Sequence, residues 1–249
     1  GYGPIGEELD AGRIGMIWGQ AHAVADPPAK LRSMTADEAY ATSVNARVWA
    51  QLMDAGSEVH MTSPYLVPGT RGMEAIEELR SRDVKVTLLT NSLAANDEPL
   101  VHGGYARYRE RLLGSGVDLY ELSPARTTKN KRLGTFGTSL GRLHAKTAVI
   151  DRQKVLLGSV NLDPRSATSN TELGIVIDSP RLARELLRVI NISKLESAYR
   201  LRLTADRSTI EWLSTDGDGE IVLSYEPEST WTQRLYNTLL SPLVPEDLL

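Results

Sequence analysis

Apolar and polar positions alternate along the chain with two different periods. Short segments rich in Val, Ile and Leu predict strands, and longer segments with apolar residues three or four positions apart predict helices. Strands are predicted over residues 14–24, 58–62, 84–89, 117–122, 143–150, 155–157, 173–177, 210–213 and 220–225. Helices are predicted over residues 35–54 and 73–82, around residues 105–112, and from residue 179 onward. This alternation predicts an α/β fold with a mixed, mainly parallel sheet between helix layers.

Local signals mark the positions where several of these elements begin. Thr35 and Glu38 have the spacing of a capping box, so a single helix is expected from there to about Asp54. Ser179, followed by a proline, is a typical N-cap for a later helix. Alternating Asp and Gly at residues 216–219 predict the turn of a hairpin.

The pattern divides the chain into three regions. Residues 1–15 are Gly-rich and weakly patterned, as in a linker or a cut end. Residues 16–228 carry the predicted strands and helices of one lobe. Residues 229–249 form an amphipathic segment with apolar residues, Trp231 and Leu235 among them, at helical spacing. This segment is expected either to pack on the lobe or to lie at a membrane interface.

Composition narrows the classes of function. A chain of 249 residues with 41% hydrophobic content can bury the core of one large domain. The net charge of -4 and a pI near 5.7 argue against a general nucleic-acid-binding protein, whose binding domain is usually basic. The absence of cysteine excludes disulfides and thiolate chemistry. Nucleic acid is therefore not an expected partner.

One segment departs from this acidic balance. Residues 123–141 are rich in Gly, Thr and Lys and predict a long irregular loop. From residue 123 to residue 150 the chain has six cationic residues and no carboxylate. Such a segment is expected to attract anions, and the alternative is a solvated flexible loop.

A compact group of reactive side chains follows this segment. His144 and Lys146 are two residues apart on a predicted strand, so they share a face, whereas Asp151 has the opposite parity. A lysine on a buried strand needs an anionic partner, and phosphate is the obvious one. Imidazole can attack phosphorus or donate a proton near neutral pH. The alternative, a histidine that merely packs in the core, is disfavoured by the spacing of the whole group.

That spacing, His144-x-Lys146-x4-Asp151-x6-Gly158-Ser159-x-Asn161, resembles the signature motif of the phospholipase D superfamily, the HKD motif. Further segments are similar to the bacterial cardiolipin synthase C branch of that superfamily, at residues 63–68, 91–97, 101–105, 161–166 and 170–172. The resemblance covers nearly the whole chain, from about residue 18 to residue 249, and implies a phospholipase D-like lobe of the C-terminal type.

The resemblance implies a phosphatidyl transfer that forms cardiolipin through a phosphohistidine. His144 would attack phosphorus or act as the acid, and Lys146 and Asn161 would hold the phosphate oxygens. Glu172 would accept a hydrogen bond from the His144 ring and orient it. Asp151 would have a structural role outside the phosphate pocket. The reaction implied needs neither a metal nor another cofactor.

Several other residues are expected to line the site. Ser159 belongs to the motif and is expected to contact the substrate. Tyr65 and Asn91 lie at the carboxyl ends of predicted strands, where α/β sheets collect their binding loops. By resemblance, His102 and Tyr105 border the site and contact a headgroup, and the alternative is that they only begin a helix. The expected partners are anionic phospholipid and a membrane surface, with peripheral association at the bacterial inner membrane.

The chain contains one HKD motif, whereas the superfamily builds each active site from two. A second HKD lobe is therefore the principal expected partner. It would be either the N-terminal half of the same protein or a homodimer mate. The homodimer corresponds to the alternative function, a single-motif phosphodiesterase or nuclease. A third hypothesis is a binding lobe without turnover, which the intact motif disfavours.

Overall fold

A computed structural model describes residues 11–12, 15–129, 141–216, 219–240 and 245. Within these ranges ten strands form one sheet. The strands are β1 (Gln20–Ala25), β2 (Glu58–Thr62), β3 (Lys85–Asn91), β4 (Asp118–Leu122), β5 (Lys146–Ile150), β6 (Lys154–Gly158), β7 (Leu173–Asp178), β8 (Ala198–Leu203), β9 (Ile210–Asp216) and β10 (Gly219–Leu223).

Helices connect and cover these strands. They are α1 (Ala36–Thr42), α2 (Val44–Met53), α3 (Gly69–Ser81), α4 (Pro99–Ala106), α5 (Arg109–Gly114), α6 (Pro124–Lys129), α7 (Pro164–Thr168), α8 (Pro180–Glu196) and α9 (Trp231–Leu240), with a short 3₁₀ turn at Pro28–Leu31. None of the helices in the described ranges combines the length and the apolar character needed to span a membrane.

The order of the sheet is β1-β7-β6-β5-β2-β3-β4-β8-β9-β10. The predicted α/β class with a mixed sheet is confirmed, but the expectation of a mainly parallel sheet is wrong. Only the pairs β2–β3 and β3–β4 are parallel, and the other seven pairs are antiparallel. The parallel pairs are those joined by helical crossovers. Tight hairpins join β5 to β6 and β8 to β9, and the loop that carries α7 returns β7 antiparallel to β6.

The helices lie on both faces of the sheet, as predicted. The larger core packs α2, α3, α4 and α5 on one face, through buried side chains such as Leu52, Ile76 and Leu112. The smaller core packs α8 on the other face through Ala183, Leu187 and Ile190. The sheet is therefore shielded from water on both faces over its central strands.

The single helix predicted over residues 35–54 is divided at Ser43. The capping box of Thr35 and Glu38 is present as predicted. Ser43, however, has an extended backbone (ψ 156°), and its side chain caps α2 by accepting from the Ala46 amide. Asp26 accepts a hydrogen bond of 2.6 Å from the Val44 amide at the same point. This contact with a residue distant in sequence favours a second helix start over a continuous helix.

The C-terminal helix α9 packs against α4. Trp231, Leu235 and Leu239 remain exposed on it, so the contact with α4 uses another side of the helix. Its membrane role stays a prediction.

Asp151 anchors the far end of β5. Its carboxylate accepts hydrogen bonds from the amides of Gly56, Ser57 and Glu58 and from the Ser57 hydroxyl, at 2.7 to 2.9 Å. These bonds hold the pKa of Asp151 at about 2, against the opposing effect of burial. The motif aspartate thus ties the end of β5 to the start of β2.

We expect Asp151→Asn to lower the free energy of unfolding at neutral pH by about 1 to 2 kcal/mol, because a partly exposed charged acceptor is lost. The pKa of Asp151 is lower in the folded chain than its ordinary value of 3.8, so its contribution is present above that value. It is lost as pH falls through about 2. The free energies of unfolding in urea of the unchanged protein and of Asp151→Asn should therefore converge as pH is lowered.

Asp37→Asn, at a carboxylate that is 88% exposed, is the matched control and should leave stability unchanged. A pH-independent difference would contradict the assignment.

Candidate active site

The motif residues assemble at one edge of the sheet. Because β5 runs antiparallel to β2, its first residues lie beside the end of β2, where Thr62 pairs with Thr147. Lys146 in turn pairs with Gly158 at the end of β6, and Gly158 pairs with Gly174 at the start of β7. The chain returns to this edge at the carboxyl ends of β2, β3 and β6, which places their following loops around one site.

His144 lies outside β5, in the irregular segment that leads into it, and its side chain is exposed. The prediction of a strand starting at Leu143 is wrong by three residues. Lys146 is the first residue of β5 and is half-buried, and its Nζ donates to the main-chain oxygen of His144 at 3.0 Å. The ammonium of Lys146 is therefore held beside the His144 backbone.

Three carboxylates affect the charge of Lys146. Burial lowers the pKa of Lys146, and the negative charges of Glu172, Asp163 and Asp97 oppose that effect. Asp163 is itself buried, and burial raises the pKa of its carboxyl. The site therefore combines one partly desolvated cation with the negative charges of nearby acids.

Glu172 is buried and joins the second half of the motif. Its carboxylate accepts from the hydroxyls of Ser159 and Ser166, the latter at 2.8 Å. The Ser166 hydroxyl in turn accepts a hydrogen bond from the main-chain amide of Asn161 at 3.1 Å. These contacts bring Ser159, Asn161 and Glu172 together. The expected hydrogen bond from Glu172 to the His144 ring is absent, since the two described side chains form neither a hydrogen bond nor an ion pair.

The side-chain oxygen of Asn161 is buried and has no hydrogen-bond partner within the described residues. A buried acceptor without a partner is rare and costly. One that lies in the motif is therefore a candidate contact for a ligand or an ordered water. This oxygen can accept a hydrogen bond from a protonated substrate oxygen or from a water molecule. The Nδ2 group of the same amide has two donors that suit phosphate oxygens.

A buried ion pair that the sequence analysis missed supports this group. Lys30 and Asp26 form a bond of 2.6 Å, and neither side chain has exposed area. Lys30 also donates to the Ser166 main-chain oxygen at 3.0 Å, and Asp26 accepts from the Glu172 amide at 2.9 Å. The two residues lie four positions apart, but they flank two prolines, which predicted only a loop.

Asn91 is a positioning residue and not a wall of the site. It is buried, its side-chain oxygen accepts from the Leu143 amide at 2.8 Å, and its Nδ2 donates to the Leu143 oxygen at 3.1 Å. This double contact fixes the residue that precedes His144. Tyr65 donates to Asp97 at 2.9 Å, and burial together with that carboxylate raises the pKa of the phenol to about 12.

His102 and Tyr105 are buried in α4, and the predicted contact with a headgroup is not supported. The ring of His102 lies 2.8 Å from a nitrogen of Arg109, and Tyr105 donates to Glu121 at 2.8 Å. Arg109 bridges Glu121 and Glu226, and this compensation stabilises its charge in the core. Both residues therefore belong to a polar network inside the lobe.

The basic segment begins as a helix, α6, and residues 130–140 lie outside the described residues. Arg126 is buried and lies 5.6 Å from the centre of the Tyr199 ring, so this cation is part of the packing. The prediction of an irregular loop from residue 123 is therefore wrong for Pro124–Lys129, which form α6. Among the described residues, no group of three or more His, Asp and Glu side chains is placed to hold a metal ion.

Comparison with known proteins gives a consistent result. The family model described as "Cardiolipin synthase, PLD-like domain" matches residues 48–192. Cardiolipin synthase C of Escherichia coli (strain K12) is 39% identical over 251 residues, which cover 99% of this chain and 52% of that protein. Cardiolipin synthase A of Buchnera aphidicola subsp. Schizaphis graminum is 33% identical over 135 residues, 54% of this chain and 24% of that protein. The chain spans about half the length of the first relatives it matches.

Two solved structures share the fold. The phospholipase D family member Nuc from Salmonella typhimurium aligns with a TM-score of 0.53 at 17% identity, over 74% of this chain and 99% of that one. Phosphatidylserine synthase of Haemophilus influenzae aligns with a TM-score of 0.53 at 13% identity, over 84% of this chain and 45% of that one. Because the family model matches more than half of the chain, and the motif is intact, this chain belongs to the family of PLD-like domains of cardiolipin synthases.

Proposed function

We propose that this chain is one lobe of a phosphatidyltransferase that forms cardiolipin through a phosphohistidine intermediate. The observation that carries the proposal is the assembly of Lys146, Ser159, Asn161 and Glu172 at one edge of the sheet, beside an exposed His144. The similarity to cardiolipin synthase C over nearly the whole chain supports the substrate class. Anionic phospholipid at a bacterial inner membrane is the proposed setting.

The proposed chemistry has two displacements at phosphorus. First, a histidine nitrogen attacks the donor phospholipid, the N–P bond forms, and the P–O bond to the leaving alcohol breaks. A second histidine gives its proton to that alcohol. Next, the acceptor hydroxyl gives its proton to the second histidine and attacks phosphorus, and the N–P bond breaks. Lys146 and Asn161 stabilise the charge on the non-bridging oxygens in both steps.

Glu172 has an orienting role in this proposal. One of its oxygens accepts from the Ser159 hydroxyl, and Ser159 is part of the motif. We propose that the imidazole of His144 replaces this hydroxyl at Glu172 when the second lobe completes the site. The carboxylate would then fix the tautomer of the ring and stabilise its protonated form.

A second HKD lobe is required because the phosphorylated histidine cannot also protonate the leaving alcohol. In-line displacement places the two groups on opposite sides of phosphorus. His22, His60 and His102 lack a lysine two positions later, so none repeats the motif. The second histidine is therefore supplied by another lobe, either another part of the same protein or a second copy of this chain.

We expect this chain to form cardiolipin from phosphatidylglycerol and phosphatidylethanolamine vesicles only after mixing with a separately expressed first lobe. His144→Ala should reduce that activity by at least about 10³-fold, because an essential nucleophile or acid is lost. Thin-layer separation of the lipid products measures the result. Activity of a strictly monomeric preparation, abolished by His144→Ala, would contradict the requirement for a second lobe. Cleavage of DNA without lipid transfer by the homodimer would favour the phosphodiesterase alternative.

Glu172→Gln tests the orienting role separately from packing. The amide retains the shape and one acceptor, so we expect a small change in stability but a loss of transfer by about 10²-fold. Glu228→Gln is the matched control, because Glu228 also accepts from two hydroxyls, those of Ser123 and Tyr199. Transfer rates and urea unfolding should be measured on all three proteins. Equal effects of both substitutions on the rate would show that Glu172 has only a structural role.

A further inference from the structure

A groove of about 450 Å³ opens next to the motif. Its floor includes Leu162 and Asp163, which directly follow Asn161 in the chain. The other walls come from α1, α2 and the start of α3, with Tyr40 and Trp49 as the large side chains. The groove therefore lies beside the segment that follows Asn161 and is lined by residues other than those of the proposed phosphate site.

Asn45 contributes an unsatisfied amide to this groove. The residue has only 4% of its area exposed, and it lines the groove. Within the described residues its amide has no hydrogen-bond partner. An amide in a largely buried residue that forms no bond to the protein keeps its donors and its acceptor free for a ligand or a water molecule in the groove.

The start of α3 adds backbone donors. This helix is 13 residues long, and neither a capping side chain nor an acidic residue lies at its first turn. The amides of Gly69, Thr70 and Arg71 have no partner within the helix and border the groove. The positive end of the helix dipole favours an anion at this position.

The charged groups of the groove differ from one end to the other. Arg71 stacks 4.4 Å over the Tyr40 ring and pairs with Asp37 at 2.9 Å. Both partners of this pair are mostly exposed, at 58% and 88%, so an incoming anion can replace Asp37 at little cost. Asp163 lies at the end nearest Asn161, where its carboxylate can accept a hydrogen bond from a hydroxyl.

We propose that this groove binds the phosphoglycerol headgroup of the acceptor lipid, with its phosphate at Arg71 and the α3 amides and its glycerol directed toward Asp163. The inference rests on the proposed function. Cardiolipin carries two phosphates joined by one glycerol, so the acceptor must bring a second phosphate close to the one that reacts. The groove provides a second anion site, formed by residues other than Lys146 and Asn161.

The test uses this chain, sn-glycero-3-phosphoglycerol as the probe and NMR titration. We expect the probe to shift the amide signals of Gly69, Thr70 and Arg71 and the side-chain amide of Asn45. Arg71→Gln and Asn45→Ala should each weaken binding by about fivefold or more. Arg188→Gln is the control, since Arg188 is an equally exposed arginine paired with Glu185, and it should have no effect. Lys146→Met should leave the groove signals responsive.

Inorganic phosphate and glycerol provide the comparison probes. Inorganic phosphate should bind the groove more weakly than glycerophosphoglycerol, and glycerol alone should not bind. Equal affinities for the two phosphates would overturn the assignment to a headgroup. Shifts confined to the residues around Lys146 and Asn161, or binding unaffected by both groove substitutions, would overturn the site itself. Absence of lipid transfer by the two mixed lobes, with an intact titration, would disprove the proposed function and the acceptor role of the groove, whereas the titration would still establish a phosphoglycerol site.

Discussion

The buried carboxylate of Glu172 is the contact on which the geometry of the motif depends. It receives the hydroxyls of Ser159 and Ser166, and its own amide binds Asp26. Through Asp26 and its buried partner Lys30, the same group is tied to the end of β1 and the start of α2. Such a network is strong because every member has a partner in a region of low dielectric constant. Removal of either Asp26 or Lys30 would leave the other buried charge uncompensated.

The strand β5 is held at both of its ends by side-chain contacts to the backbone. At its start, Asn91 binds both main-chain groups of Leu143, one residue before His144. At its end, Asp151 binds the amides that begin β2. These contacts fix the register between β5 and β2, and hence the position of Lys146 at the edge. The motif aspartate thus positions the strand and makes its bonds at the end of β5 opposite to Lys146.

Much of the secondary structure could be predicted from the sequence, because the signals concerned are local. The capping box at Thr35, the hairpin around residues 216–219 and the parallel β2–β3–β4 unit all follow from nearby residues. The remaining features depend on contacts between residues distant in sequence. The break at Ser43 involves a contact with Asp26, and the antiparallel pairing of β5 with β2 joins two segments that are far apart in the chain.

The candidate site shows the same division. The spacing of His144, Lys146 and Asn161 predicted a candidate site because these residues lie close together in the chain. Spacing could not show that Asn91 holds the backbone or that His102 is buried, because burial depends on what packs above α4.

The stereochemical course at phosphorus tests the central claim of phosphohistidine chemistry most directly. A donor phospholipid with a sulfur-substituted phosphate of defined chirality would be supplied to an active preparation that contains this lobe. Two in-line displacements each invert the configuration, so the account predicts net retention in the product. Net inversion would show direct attack by the acceptor and would contradict the intermediate that this account assigns to the site.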